Sequence, residues 1–336
     1  MKAYRANGKL LLTGEYLVLH GAVALALPTK LGQTLTVTTA SGRHCEERSD
    51  EAIQPESSCF GSGWIASAKG LAMTQSDAIL WNAYKPDGLW LSATLKPDTL
   101  EMVETDDPSK AEKLAAILKV VRELNPSAFE PGLHFETHLE FDPSWGLGSS
   151  STLISNLAQW AGVNPYEVLK RTIGGSGYDI ACATANTAIH YRLDQGDPRI
   201  QPVVFNPPFV DRLFFVYQEK KQHSSEEVKA FNRHWAETDL SHETQTVSEL
   251  SMALPTITYY EDFCTLLQVH ERILARCLNR EPVQQQYPDF DGVLKSLGAW
   301  GGDFLLAVTQ QPFEQVKSYF QAKGMNTIFK YQDLIL

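Results

Sequence analysis

The stretch Pro143-Ser144-Trp145-Gly146-Leu147-Gly148-Ser149-Ser150-Ser151 decides how the rest of the chain is read. Before it, Leu133, Phe135, Thr137, Leu139 and Phe141 alternate with His134, Glu136, His138 and Glu140, which predicts a strand with one wet face. After it, Thr152 to Ala161 reads as a helix. A glycine-serine turn in that position presents free backbone N–H groups at the positive end of a helix, and such an end attracts phosphate. The glycines permit close backbone approach, and the serines can cap the helix, bind phosphate oxygens or ligate Mg2+. No Gly-Lys-Ser/Thr follows, so this is not a Walker A loop. Taken alone, a plain capped helix start would also explain it.

Other glycine clusters change that weighting. Gly174-Gly175-Ser176-Gly177-Tyr178-Asp179 places a carboxylate beside a flexible run, and Gly298-Ala299-Trp300-Gly301-Gly302-Asp303 stands between Lys295 and the apolar run Phe304 to Val308. With the loop at Trp145 to Ser151, they suggest one shared anion site.

Working outward, 336 residues exceed the usual size of one hydrophobic core, so two domains are expected. A composition break at Asp194-Gln195-Gly196-Asp197-Pro198 sets them at 1–195 and 196–336. Residues 40–76, a dense charge run followed by a Ser/Gly-rich stretch, read as a solvated insertion that holds His44, Cys45 and Cys59. Lys9 to Thr13 and Gln33 to Thr39 read as strands. Ile79 to Tyr84 and Leu89 to Leu95 form a hairpin about a four-residue turn, Lys85-Pro86-Asp87-Gly88. Leu114, Ile117, Leu118 and Val121 mark the buried face of a helix over Ser109 to Leu124. Helices at Pro165 to Ile173, Glu243 to Leu254, Tyr260 to Leu278 and Phe313 to Ala322 follow, with strands at Thr187 to Leu193, Pro202 to Val204 and Leu213 to Tyr217.

An apolar fraction of 43% without any run near the ~18 residues that span a bilayer predicts no membrane segment. The amino terminus does not read as a secretory signal, so a cytoplasmic location is expected, and five scattered cysteines suit reduced thiols. A net charge of −11 argues against a nucleic-acid partner, but a few focused lysines can still bind a small anion. The alternation predicts that His134, Glu136 and His138 form a solvated face rather than a metal site.

Together with Gly8-Lys9-Leu10-Leu11-Leu12-Thr13-Gly14-Glu15-Tyr16, the glycine loops resemble the GHMP kinases, the superfamily of galacto-, homoserine, mevalonate and phosphomevalonate kinases. Gly8 to Tyr16 matches that superfamily's first motif, Gly146 to Ser150 its phosphate loop, and Gly298 to Gly302 approximates its third motif. Tyr16, the run Gly175 to Ala181 and Gly301-Gly302-Asp303 look most like the phosphomevalonate kinase branch, with mevalonate kinase next.

The resemblance implies an α+β fold with a left-handed β-α-β unit in the first domain and a ferredoxin-like second domain. It implies an ATP- and Mg2+-dependent kinase, a monomer or homodimer, acting on a small acidic metabolite. Asp179 matches the catalytic aspartate and Lys9 the lysine that favours charge on the acceptor oxygen. Trp145, Gly146, Leu147, Gly148, Ser149, Ser150 and Ser151, with Gly298, Ala299, Gly301 and Gly302, would hold the nucleotide, and Ser150 would ligate Mg2+. Glu15, Tyr16, Ser176 and Gly177 would meet the acceptor; from charge alone, and not from the resemblance, Arg212, Lys220 or Lys221 is expected to pair with its phosphate.

The chain departs from the pattern at Trp300 and Ser151, and at Val168, which stands where a metal-binding glutamate is expected, one position after Glu167. Two readings of other classes remain at this point: a non-catalytic nucleotide- or metabolite-binding protein, and a related decarboxylase of a diphosphorylated acid.

Overall fold

The structure is a computed structural model that describes residues 2–39, 78–220, 224–235 and 238–336. The expected insertion at 40–76 and Lys221 lie outside the described residues. In chain order the first half holds β1 (Lys2–Thr13), β2 (Ala24–Thr39), β3 (Ile79–Lys85), β4 (Gly88–Leu95), β5 (Met102–Thr105), α1 (Pro108–Leu124), β6 (Leu133–Leu139), α2 (Ser149–Ala161) and α3 (Pro165–Arg171). There follow α4 (Tyr178–Thr184), β7 (Ile189–Asp194), β8 (Asp197–Pro202), β9 (Leu213–Tyr217), α5 (Ser224–His234), α6 (Ser241–Ala253) and α7 (Tyr260–Leu278). The last elements are β10 (Val293–Ser296), β11 (Phe304–Val308), α8 (Phe313–Gln321), β12 (Ile328–Lys330) and α9 (Tyr331–Leu334). The chain forms two compact units: Met1–Arg5, Gln33–Glu140 and Asn156–Thr172 make the first, and Ala6–Gly32, Phe141–Ser155 and Ile173–Leu336 the second.

In the first unit the strands run in the order β5-β4-β3-β6, with the Gln33–Thr39 stretch of β2 beside β6. Strands β3 and β6 are parallel, so the chain must cross over between them, and it does so through β4, β5 and α1. Helix α1 starts where Asp107 caps it, accepting the Lys110 N–H at 3.0 Å ahead of Pro108, and buries the four predicted residues Leu114, Ile117, Leu118 and Val121. Trp81 stacks on Phe135 at 5.2 Å, and Trp160 meets the same ring edge-on at 4.8 Å. The hairpin turn is tighter than expected. Lys85 pairs with Gly88, leaving Pro86-Asp87 as a two-residue loop, because the ladder extends to both flanking residues.

In the second unit β7 pairs antiparallel with the Ala24–Ala26 stretch of β2 on one side and with β8 on the other. The composition break at Asp194 to Pro198 is the tip of this β7–β8 hairpin, where Asp194 pairs with Asp197. Strand β8 therefore lies at Asp197–Pro202 and not at Pro202 to Val204, and Val204 is exposed. The remaining strands make an antiparallel sheet in the order β10-β11-β9-β12. With helices α5 to α7 between β9 and β10, and α8 between β11 and β12, this is the β-α-β-β-α-β order of a ferredoxin-like fold. Among the described residues no helix is long and apolar enough to cross a membrane, and Cys182, Cys264 and Cys277 are free thiols.

Candidate active site

All three glycine loops and Lys9 belong to the second unit. The central loop begins with a cap: Asp142 accepts the Ser144 N–H at 2.8 Å. Gly146 and Gly148 then adopt left-handed backbone (φ 70° and 93°), a region that L side chains rarely enter. Space is tight there as well. A Cβ on Gly146 would lie 2.7 Å from the Asp303 carboxyl carbon, and one on Gly148 would lie 2.8 Å from Ser151 Oγ and 3.2 Å from Lys9 Cγ. Leu147 is fully buried and its carbonyl accepts the Lys9 N–H at 3.0 Å, which ties the loop to β1.

Helix α2 begins at Ser149, three residues earlier than expected, because the Ser151 hydroxyl and the Thr152 N–H both bond the Gly148 carbonyl, at 2.9 and 3.0 Å. The first N–H groups of such a helix have no partner within it and are open to an anion. Ser150 is exposed at this turn. Trp145 packs edge-on to Phe329 at 5.4 Å, and Tyr217 anchors the loop from the same side by donating to the Ser144 carbonyl at 3.1 Å.

Lys9 lies along Gly148 with its ammonium 5.5 Å from the centre of the Tyr178 ring. Burial works against its charge, but Tyr178, Asp303 and Asp179 outweigh that cost and raise its pKa. Asp179 stands in the first turn of α4 after Gly177, which occupies the cap position with φ 84°. Burial raises the Asp179 pKa, opposed by Lys9 and by hydrogen bonds that include the Ser151 hydroxyl. Ser176 and Gly177 directly precede Tyr178 and Asp179 in the chain, and the Tyr191 hydroxyl donates to the Ser176 carbonyl. Lys9, Tyr178, Asp179, Ser151 and Asp303 thus form one electrostatically linked group at the glycine loop.

Glu15 and Tyr16, expected to meet the acceptor, are instead buried against protein partners. Glu15 is buried, accepting from Lys295 Nζ at 2.5 Å, with His270 Nε2 3.5 Å away. The Tyr16 ring packs 5.2 Å from Phe231, in a core cluster that also contains Trp300. Arg280 reaches the Trp300 carbonyl at 2.5 Å and Glu227 at 2.7 Å. Asp303 was within sight, since it closes the quoted third motif; His270 and Glu271 were signalled only as polar residues on the buried stripe of α7.

Of the described cations expected to pair with the acceptor's phosphate, Arg212 lies elsewhere and Lys220 meets the group through its backbone. Arg212 sits over the Tyr260 ring at 5.7 Å, and the Lys220 carbonyl accepts the Asp303 N–H at 2.8 Å. Val168 is buried in α3 of the first unit, and Glu167 is half-buried beside it. His134 bonds Asn82 at 3.2 Å, and His138 pairs with Glu136 at 2.7 Å and stacks on Tyr84.

No protein-family model and no curated sequence matches the chain. Solved structures do. The mevalonate kinase of Methanococcus jannaschii superposes with a TM-score of 0.64 at 16% identity, over 98% of this chain and 96% of that one. The fold is that of the GHMP kinases. The phosphomevalonate kinase of Streptococcus pneumoniae, solved with phosphomevalonate and AMPPNP, superposes at 0.63 and 17% identity over 98% of this chain and all of that one. A D-glycero-D-manno-heptose 1-phosphate kinase from Bacteroides thetaiotaomicron superposes at 0.56 and 12% identity, covering 99% and 95% of the two chains. GHMP kinase architecture therefore accounts for nearly the whole chain, the β9–β12 sheet included.

Proposed function

We propose that this protein is an ATP-dependent small-molecule kinase whose acceptor is phosphomevalonate. The observation that carries the reading is the placement of Lys9 and Asp179 in one charged group against the Gly146–Ser151 loop. Phosphoryl transfer asks for little covalent chemistry from a protein; it asks for positioning, charge neutralisation and a place for the acceptor's proton. The loop and the start of α2 supply N–H groups for the nucleotide's phosphates. Asp179 takes the proton of the acceptor hydroxyl as that oxygen attacks the terminal phosphorus and ADP departs. Burial, by raising the carboxylate's pKa, makes it a better base than an exposed aspartate. Lys9 keeps its proton and stabilises the charge that develops on the acceptor oxygen. Ser176 and Gly177 border the acceptor.

Mg2+ fits this donor set. It keeps several waters and binds largely through substrate phosphates with one or two protein ligands, which in phosphate loops include a Ser or Thr hydroxyl; the exposed Ser150 hydroxyl at the start of α2 would be that ligand. When bound it neutralises phosphate charge.

Mevalonate is the second acceptor reading, favoured by the equal superposition of mevalonate kinases. Phosphorylation of mevalonate and phosphomevalonate, each with ATP, compared side by side, decides between them. ADP formed with phosphomevalonate supports the proposal, and ADP formed with mevalonate alone moves it to the second reading. Carbon dioxide released from a diphosphorylated acid would replace both with a decarboxylase, and no turnover with any acidic alcohol would leave a binding protein.

A further inference from the structure

Beside the loops, and separate from the Lys9–Asp179 group, the second unit buries an ion pair with a histidine and a further carboxylate. Glu15, His270, Glu271 and Lys295 are each at most 2% exposed. Lys295 Nζ donates to Glu15 Oε1 at 2.5 Å and to the Ser296 carbonyl at 2.8 Å. The His270 Nε2 accepts the Gly14 N–H at 3.0 Å, so its proton is assigned to Nδ1 and the ring is neutral. Burial first, then the nearby lysine, holds its pKa well below the usual range. Glu271 accepts the Ser296 N–H at 3.2 Å, the Ser296 hydroxyl at 3.0 Å and the Val283 N–H at 3.2 Å.

Such a cluster is a poor way to gain stability. Desolvating a lysine and a glutamate costs about as much as their attraction returns, and an apolar pair of similar volume does as well or better. What an ion pair adds is geometry: each charge admits few positions for its partner. The two partners here lie 280 positions apart in the chain.

Each partner is joined to one side of the glycine loop. Glu15 follows Gly14 at the end of β1, and the same strand carries Lys9, whose N–H holds the Leu147 carbonyl. Lys295 lies in β10, paired with Leu306 of β11. The turn between those strands is closed by the Leu297 N–H to the Phe304 carbonyl at 3.0 Å, and it presents the Asp303 carboxylate to Gly146. The loop is thus held by β1 on one side and by the 298–303 turn on the other.

We propose that Lys295 is a positioning residue which, by gripping Glu15 beside His270, locks β1 to the 298–303 turn and so sets Lys9 and Asp303 against the phosphate loop. This rests on the kinase reading for its catalytic consequence, though not for its structural one. Lys295→Met leaves Glu15 buried without its partner, so the informative protein is Glu15→Gln/Lys295→Met, in which neither charge remains.

The double variant is expected to recover most of the melting temperature lost by Lys295→Met. Its kcat should stay at least tenfold below wild type, while the KM for ATP changes less than threefold. Amide hydrogen exchange should rise together in residues 10–18 and 297–305, a readout that needs no turnover. A double variant with kcat within twofold of wild type, or faster exchange confined to one segment, overturns the proposal. Should both variants fail to fold, Glu15→Gln alone carries the same exchange test. Should the wild-type protein phosphorylate no acceptor, the kinase reading fails, and paired exchange still decides for or against the lock.

Discussion

The two compact units bury their polar groups differently. In the first, the fully buried polar side chains among the described residues are Gln33, Thr137 and Asn156, all neutral, and Asn156 donates to the Gln33 carbonyl at 2.9 Å. In the second, Glu15, His270, Glu271, Lys295 and Asp303 are buried as well; among the described residues every buried carboxylate, lysine and histidine lies there. An apolar core such as Trp81, Phe135 and Trp160 maximises the area removed from water. Buried charge does the reverse, and it persists where position matters more than burial. The contrast teaches that the first unit is organised by packing and the second by the placement of charge.

Breaking the second unit's arrangement at its centre should have the largest effect. Asp179→Asn is expected to lower kcat roughly a thousandfold, with ADP affinity, measured by calorimetry, within about twofold of wild type. A near-normal rate would remove Asp179 from the mechanism.

In the first unit the corresponding blow falls on stability. Trp81→Ala should cost about 3–5 kcal/mol, read as a lower urea midpoint, with kcat per folded molecule unchanged. A change in kcat at full folding would blur the contrast between the units.

The charge cluster should also set a pH signature. Burial, opposed by Lys295, pushes the Glu15 carboxyl from its ordinary 4.5 up to about 7. Because the folded value lies above the unfolded one, its stabilising contribution is complete below pH 4.5 and is lost as pH rises through 7. Between these limits the wild-type protein should lose up to roughly 3 kcal/mol relative to Glu15→Gln, seen as diverging thermal midpoints. Neutral His270 acts oppositely, since its depressed pKa destabilises the fold as pH falls below its ordinary 6.5, and it is common to both proteins. Parallel pH profiles would remove the raised carboxyl.

The smallest effect belongs to exposed charge in the first unit. Arg5 meets Glu140 in a two-pronged pair at 2.5 and 2.8 Å, with both side chains about two-fifths exposed. Arg5→Ala should cost no more than about 1 kcal/mol, and added salt should erase the difference.

Regions governed by local periodicity were legible from the residues. Helix α1 and strand β6 appear where the apolar spacing places them, and the glycine-serine loop lies between a strand and a helix as expected. Less was legible where few residues are buried. Strand β1 starts at Lys2, seven residues before its apolar run, because those residues are held by pairing with β2 and carry no apolar pattern of their own. Trp300, read as a departure from a glycine motif, is 2% exposed in the cluster around Tyr16 and Phe231. No spacing rule could place an indole from residue 300 beside a ring at residue 16.

By itself, then, the amino-acid sequence determined the glycine loops, their order and the short-range elements around them. Each depends on the conformational freedom of a few neighbouring residues or on a repeat of 2 or 3.6. Only the tertiary structure decided that Asp303 lies on Gly146, that Lys9 shares its surroundings with Tyr178 and Asp179, and that Glu15 is gripped by Lys295. Charges and rings from distant positions meet through burial, and what decides a buried charge's partner is the low-dielectric space that remains once the sheets and helices have packed.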